Sequence, residues 1–169
     1  MLYPFVREGR ALINFCIEYS IPVSASCFGF QMAVLALGGD ITRDDKDYEM
    51  GTIKINLTDA AKQDQLFHDT PDKFLAVSVH KEKALKAPPG CVLLAATDEC
   101  AHAFRVIGKP FWAFQFHPEV DKTTLVTRLT FFKEIYTNND PHLENIIAYL
   151  QETPESNKLV RKFIERVLV

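Results

Sequence analysis

Residues 21–39, IPVSASCFGFQMAVLALGG, decide how the rest of the chain is read. Val23 to Ser26 form a short β-prone run between Pro22 and Gly29, which predicts a buried strand. From Phe28 onward, Gln31, Met32, Val34, Leu35 and Leu37 fall at helical spacing, and Gly38-Gly39 is suited to a helix C-terminus. Cys27 sits at the junction. A strand that turns sharply into a helix through a nucleophile is the geometry of a nucleophile elbow. A free thiol is only a few per cent ionised at neutral pH, and the positive end of a helix starting at Phe28 would favour its anion. Gly29 would let the turn close, and the Phe28 N–H could donate to an oxyanion. Taken locally, a small buried side chain is the plainer reading of Cys27, because free cysteine is among the most buried residue types.

Upstream, residues 5–20 read as a helix ended by Pro22, with Phe5, Ala11, Leu12, Phe15, Cys16 and Tyr19 as its apolar positions. Downstream, GTIKINLT (51–58) alternates Ile53, Ile55 and Leu57 on one face of a strand. DKFLAVSVH (72–80) and CVLLAATD (91–98) are further strands, the latter introduced by the Pro88-Pro89-Gly90 turn. AHAFRVIG (101–108) and KPFWAFQFH (109–117) form a hairpin punctuated by Gly108-Lys109-Pro110. Residues 121–137 and 141–169 are helical, through Leu125, Leu129 and Phe132, then Ile146, Leu150, Leu159, Phe163 and Val167. The breaker Asn138-Asn139-Asp140-Pro141 separates them. Met32, Phe131 and Phe132 are core candidates.

The second informative stretch is FWAFQFHPEV, residues 111–120. An apolar strand delivers His117 and Glu119 at its carboxyl end, and Pro118, which cannot donate to a ladder, marks where the strand stops. Side chains two apart on extended backbone point the same way, so Glu119 can hold one imidazole nitrogen and leave the other for a nucleophile. A surface turn with a solvated carboxylate is the plainer reading of these residues alone. Paired with Cys27, they supply the base that the thiol needs.

Composition narrows the classes. The chain has 169 residues, 47% of them hydrophobic, enough for one sizeable core. A net charge of −3 and the lack of a Lys/Arg-rich run argue against nucleic acid as a partner. Charges at Arg7, Glu8 and Arg10 spoil a signal peptide, and no run of 18 apolar residues exists, so a soluble cytoplasmic protein without membrane contact is expected. Cys16, Cys27, Cys91 and Cys100 form no C-x-x-C pair and are expected to be reduced, with Cys16, Cys91 and Cys100 as packing residues. Zinc is not expected from the spacing of His68, His80, His102, His117 and His142, and no cofactor is implied.

CFGFQ (27–31) matches the C-x-G-x-Q nucleophile motif, and FQFHPEV (114–120) contains the Q-F-H-P-E motif, of class I glutamine amidotransferases. The chain therefore resembles that Cys-His-Glu group, including the glutaminase domains of GMP synthetases, over most of residues 10–135. The resemblance implies a three-layer α/β/α sandwich of flavodoxin-like type with a mostly parallel sheet. It implies Cys27 as nucleophile, His117 as base, Glu119 as its orienting partner and the Phe28 N–H at the oxyanion. Gln31 and Gly29 would adjoin the substrate, and His80 would lie near a loop over it or be simply a strand-end histidine. The implied reaction is hydrolysis of glutamine's γ-amide through a thioester. A γ-glutamyl peptidase or an impaired remnant serving in binding or assembly are the alternatives.

Family members carry strands and a glycine-rich oxyanion loop before the first helix seen here. On the resemblance, this sheet is expected to lack its N-terminal strands and to be completed by a further segment, a synthase partner or self-association. Residues 1–140 are expected to form the amidotransferase-like domain, with 141–169 as a helical extension packed on it. Ser24-Ala25-Ser26 depart from the more apolar, glycine-containing family approach to the nucleophile, and any buried hydroxyl there needs a partner.

Overall fold

The structure, a computed structural model, describes residues 4–43, 45, 48–131 and 142–169. Helix α1 (Pro4–Glu18) leads into β1 (Val23–Ser26) and α2 (Phe28–Ala36). A two-residue strand β2 (Thr42–Arg43) precedes β3 (Glu49–Leu57), a 3₁₀ turn (Asp59–Gln63) and β4 (Lys73–His80). Then come β5 (Glu82–Lys83), β6 (Cys91–Ala96), β7 (Ala101–Val106), β8 (Phe111–Phe114) and α3 (Lys122–Phe131). Two more helices follow, α4 (His142–Tyr149) and α5 (Pro154–Phe163), the last continuing into a π turn at Ile164–Leu168.

The described main sheet runs β1-β8-β7-β6-β3-β4, with β2 and β5 paired separately. The expected α/β class holds, but the strand directions correct the expectation of a mostly parallel sheet. Within it, only β1 and β8 pair in parallel; the other four junctions are antiparallel. For the directly linked pairs β6–β7 and β7–β8 the cause is connection length, because parallel neighbours need a crossover of a dozen or more residues. The β6–β7 and β7–β8 links are short, whereas the chain between β1 and β8 is long enough to bring them side by side.

Both faces of this sheet are covered, which makes three layers. In β8, Phe111 and Ala113 face a core shared with Val6, Ile13, Phe30 and Phe104, while Trp112 and Phe114 face the opposite core. A strand buried on both faces reads as a continuous apolar run, and FWAF is one. On the first face, Phe30 of α2 meets Phe104 of β7 with ring centroids 5.1 Å apart. On the second, Phe67, Phe74, Phe114 and Phe116 cluster, and α5 closes them in with Leu159 and Phe163. Each such fully buried side chain stabilises the fold by roughly 1.5–3 kcal/mol.

Three helical expectations need correction. The inward face of α1 is Val6 and Ile13 with half-buried Cys16 and Ile17, while Phe5, Leu12, Phe15 and Tyr19 are at least 50% exposed. Residues 141–169 are not one helix, because Pro154 opens α5 as its first-turn residue and the residue before a proline avoids the helical region. Phe131 is 80% exposed at the end of α3. Phe132, residues 133–137 and the expected boundary at 140/141 lie outside the described residues.

Candidate active site

The parallel pairing of β1 with β8 brings the two motifs together. Ser26 lies opposite Phe114, so both strands end side by side, and the next residues of each chain segment emerge at the same edge. Cys27 follows β1 directly, with its N–H donating to the Phe114 carbonyl at 2.7 Å. Its backbone sits at φ 46°, ψ −97°, one of two positive-φ non-glycine positions among the described residues. Such a conformation costs about 1–3 kcal/mol and persists only where surroundings enforce it. Here the enforcement comes from both sides: the bond to β8, and the Cys27 carbonyl, which accepts the Gln31 N–H at 3.1 Å in the first turn of α2.

Gly29 is required by close packing. A Cβ at that position would stand 3.1 Å from the Ala25 side chain, tighter than ordinary contact. Phe28 opens α2 with its side chain half exposed and leaves its N–H in the unpaired first turn. Gln31 is buried and donates from Nε2 to the Glu82 carbonyl at 3.2 Å, tying α2 to the segment after β4.

His117 and Glu119 stand on the segment beyond β8. The His117 N–H donates to the Val77 carbonyl at 2.8 Å, and its Nδ1–H donates to Glu119 Oε1 at 2.7 Å. Burial alone would pull the His117 pKa down. Hydrogen bonds and charge from Cys27 and Glu119 outweigh it and push the imidazole up to about 9. Burial likewise works against the Glu119 carboxylate, but His117, the backbone and the Ser26 hydroxyl hold it below the usual carboxylate range. The Ser26 hydroxyl is half-buried and favours the Glu119 carboxylate, while Ser24 is exposed.

Cys27 and His117 line one cavity of about 230 Å³ with Val77, Val79, Val120, Leu125, Arg128 and Leu129. That is below the ~300–1,000 Å³ typical of drug-sized ligands and suits an amino-acid-sized one. The Cys27 S–H donates to the Val79 carbonyl at 3.7 Å, so strand β4 touches both members of the pair. His80 is not among the lining residues. It ends β4, is 7% exposed and meets Glu49 Oε2 at 2.9 Å through Nε2.

Sequence reasoning missed Arg128, which joins the lining, since nothing in the α3 sequence distinguishes it from a solvated helix face. It also missed that the Ser26 hydroxyl favours the Glu119 carboxylate. The hydroxyl beside the nucleophile was visible, but its direction depends on the β1–β8 register.

Comparisons with known proteins agree with this geometry. The family model described as glutamine amidotransferase class-I matches residues 4–135. A subunit of the glutamine-hydrolyzing GMP synthase from Methanocaldococcus jannaschii is 30% identical over 122 residues, covering 71% of this chain and 62% of the relative. A glutamine-hydrolyzing GMP synthase from Thermotoga petrophila is 31% identical over 112 residues, which is 66% of this chain and 21% of that protein. The chain thus spans less than two thirds of the length of these relatives. A crystal structure of a glutamine amidotransferase from Thermotoga maritima superposes with a TM-score of 0.77 at 19% identity, covering 97% of this chain and 70% of the other. With one from Methylobacillus flagellatus the TM-score is 0.75 at 20% identity, over 98% and 71% respectively. The match over residues 4–135, with both motifs meeting at one cavity, shows that the chain belongs to the class I glutamine amidotransferase family.

Proposed function

We propose that this chain is a glutaminase that cleaves the γ-amide of glutamine and passes ammonia to a synthetase subunit of the GMP-synthase type. The observation that carries the reading is Cys27 on its strained turn, facing His117 in one cavity while Glu119 holds the far imidazole nitrogen. His117, whose ring is held protonated at neutral pH, has taken the thiol proton before attack; Cys27 Sγ bonds as the thiolate to the carboxamide carbon, and the carbonyl oxygen gains charge beside the Phe28 N–H. The tetrahedral species collapses, the C–N bond breaks, and His117 returns the proton to the departing ammonia. Water then attacks the thioester with His117 again as base, releasing glutamate and restoring the thiol. Arg128 at the cavity wall offers a positive charge to the substrate carboxylate.

The test is glutamate release from glutamine by the purified chain, alone and with a GMP-synthase-type synthetase subunit, together with alkylation of Cys27 by a glutamine-like electrophile. Release in either setting and labelling at Cys27 are expected. Neither release nor labelling would reject the reading, and faster turnover of γ-glutamyl dipeptides than of glutamine would replace it with a peptidase.

A further inference from the structure

A second constellation lies outside the cavity. Glu49, His80, Cys100 and His102 each offer one donor atom, and these atoms all lie within 4.8 Å of one another. Three of them come from strands, and Cys100 directly precedes β7. Glu49, the first residue of β3, sits opposite His80, the last of β4. Cys100 and His102 are two apart at the start of β7, so their side chains share a face. His80 Nε2 is 2.9 Å from Glu49 Oε2, and His102 Nε2 is 3.2 Å from Glu49 Oε1 and 3.3 Å from Cys100 Sγ.

As a hydrogen-bond network this arrangement is over-committed. His102 Nε2 faces both a carboxylate oxygen and a sulfur, yet carries at most one proton for the two. Its side chain is fully buried, and Nδ1 has no hydrogen-bond partner among the described residues. Three of the four groups are buried. We propose that this cluster is a structural zinc site, with Glu49, His80 and His102 as ligands together with the Cys100 thiolate.

The chemistry of the donors selects the ion. Two imidazole nitrogens and a sulfur suit a borderline-soft divalent ion and are poor ligands for magnesium or calcium, which take oxygen. Zinc bond lengths of ~2.0–2.3 Å in a tetrahedron place neighbouring donors roughly 3.3–3.6 Å apart; three contacts here are 2.9–3.3 Å and the whole set lies within 4.8 Å, so small side-chain shifts would bring the donors onto an ion. Charge also balances. The Cys100 thiol loses its proton to solvent as it binds, and one thiolate plus the Glu49 carboxylate neutralise the 2+ ion between two neutral imidazoles. With four protein donors the site is closed, as structural zinc sites are. Such an ion would pin the start of β7 to the ends of β3 and β4. The spacing of His and Cys along the chain hides it because two ligands pair across a ladder and two alternate at the start of β7.

Cobalt is the probe, since thiolate ligation gives it a near-ultraviolet charge-transfer band and tetrahedral geometry gives intense visible bands. The titration uses chelator-treated full-length Cys27→Ala protein, so that neither glutaminase activity nor the Cys27–His117 pair contributes to the readout. One equivalent of cobalt should generate both signatures, and zinc should displace it. Cys91→Ala should leave both unchanged, whereas Cys100→Ser should abolish the charge-transfer band and His102→Ala should weaken binding at least ~10-fold. Absence of the charge-transfer band in the Cys27→Ala protein overturns the proposal without reference to any ligand variant. So does its persistence after Cys100→Ser.

Discussion

At the scale of single residues, Cys27, His117 and Glu119 are held by backbone as much as by side chains. Cys27 at φ 46° carries a conformational cost that a glycine would not, since glycine enters that region freely. Cys27→Gly is therefore expected to be more stable than Cys27→Ala by about 1 kcal/mol, even after the larger unfolded-state entropy of glycine is set against it. Urea denaturation of the two variants measures this, and an equal or lower midpoint for the glycine variant would contradict the strain. The imidazole of His117 makes a second prediction. Its pKa of about 9 lies above the ~6.5 of a free histidine, so its contribution to stability is full below pH ~6.5 and is lost as pH rises through about 9. An NMR titration of His117 should show that high midpoint, and it should fall in Cys27→Ala and in Glu119→Gln, because each removes a hydrogen bond that favours the protonated ring. Cys27, His117 and Glu119 were singled out by two motifs; the Val79 carbonyl against Cys27 was not readable, because it depends on which strands lie side by side.

At the scale of elements, the strands were legible and the helices less so. GTIKINLT and FWAF announce themselves through alternation and continuous apolarity, and both form strands in the structure. Strand direction was not readable, since it follows from where each segment pairs and not from its own residues. Helix α1 misleads for a different reason: it carries two apolar faces, and the one with more aromatic residues is the outer one. Val6 and Ile13 are 8% exposed and pack with Phe30 and Met32, whereas Leu12 is 61% exposed. Ile13→Ala should cost about 2–5 kcal/mol in equilibrium denaturation, and Leu12→Glu less than about 0.5 kcal/mol. The opposite ranking would mean that α1 is turned the other way. The exposed face of Phe5, Leu12, Phe15 and Tyr19 lies on the helix that leads into β1, the strand at the edge of the described sheet.

At the scale of the whole molecule, the C-terminal helix α5 joins the core to the segment that carries His117 and Glu119. Leu159 and Phe163 cap the core around Trp112, whose ring meets Phe163 edge-on at 6.1 Å. Buried Lys162 reaches Asp69 at 2.7 Å and the Thr70 hydroxyl at 2.8 Å, fixing the helix to the loop before β4. From this anchored helix, Asn157 Nδ2 donates to the carbonyls of Pro118 and Val120, each at 3.0 Å, on either side of Glu119. The Thr153 hydroxyl holds the Asn157 oxygen at 3.1 Å and so fixes which way the amide points. A helix distant in sequence thus holds the backbone on both sides of Glu119. Asn157→Ala leaves two part-buried carbonyls without this donor, which should cost about 1–3 kcal/mol. If α5 serves only the core, the loss ends there. If it positions Glu119, Asn157→Ala should also slow alkylation of Cys27 and lower the His117 midpoint. Lys162→Met, which loosens the same helix without touching the Pro118–Val120 segment, should reduce stability and leave that midpoint near 9. The two variants measured side by side, by denaturation and by His117 titration, separate the roles: an unchanged His117 in Asn157→Ala would confine α5 to packing.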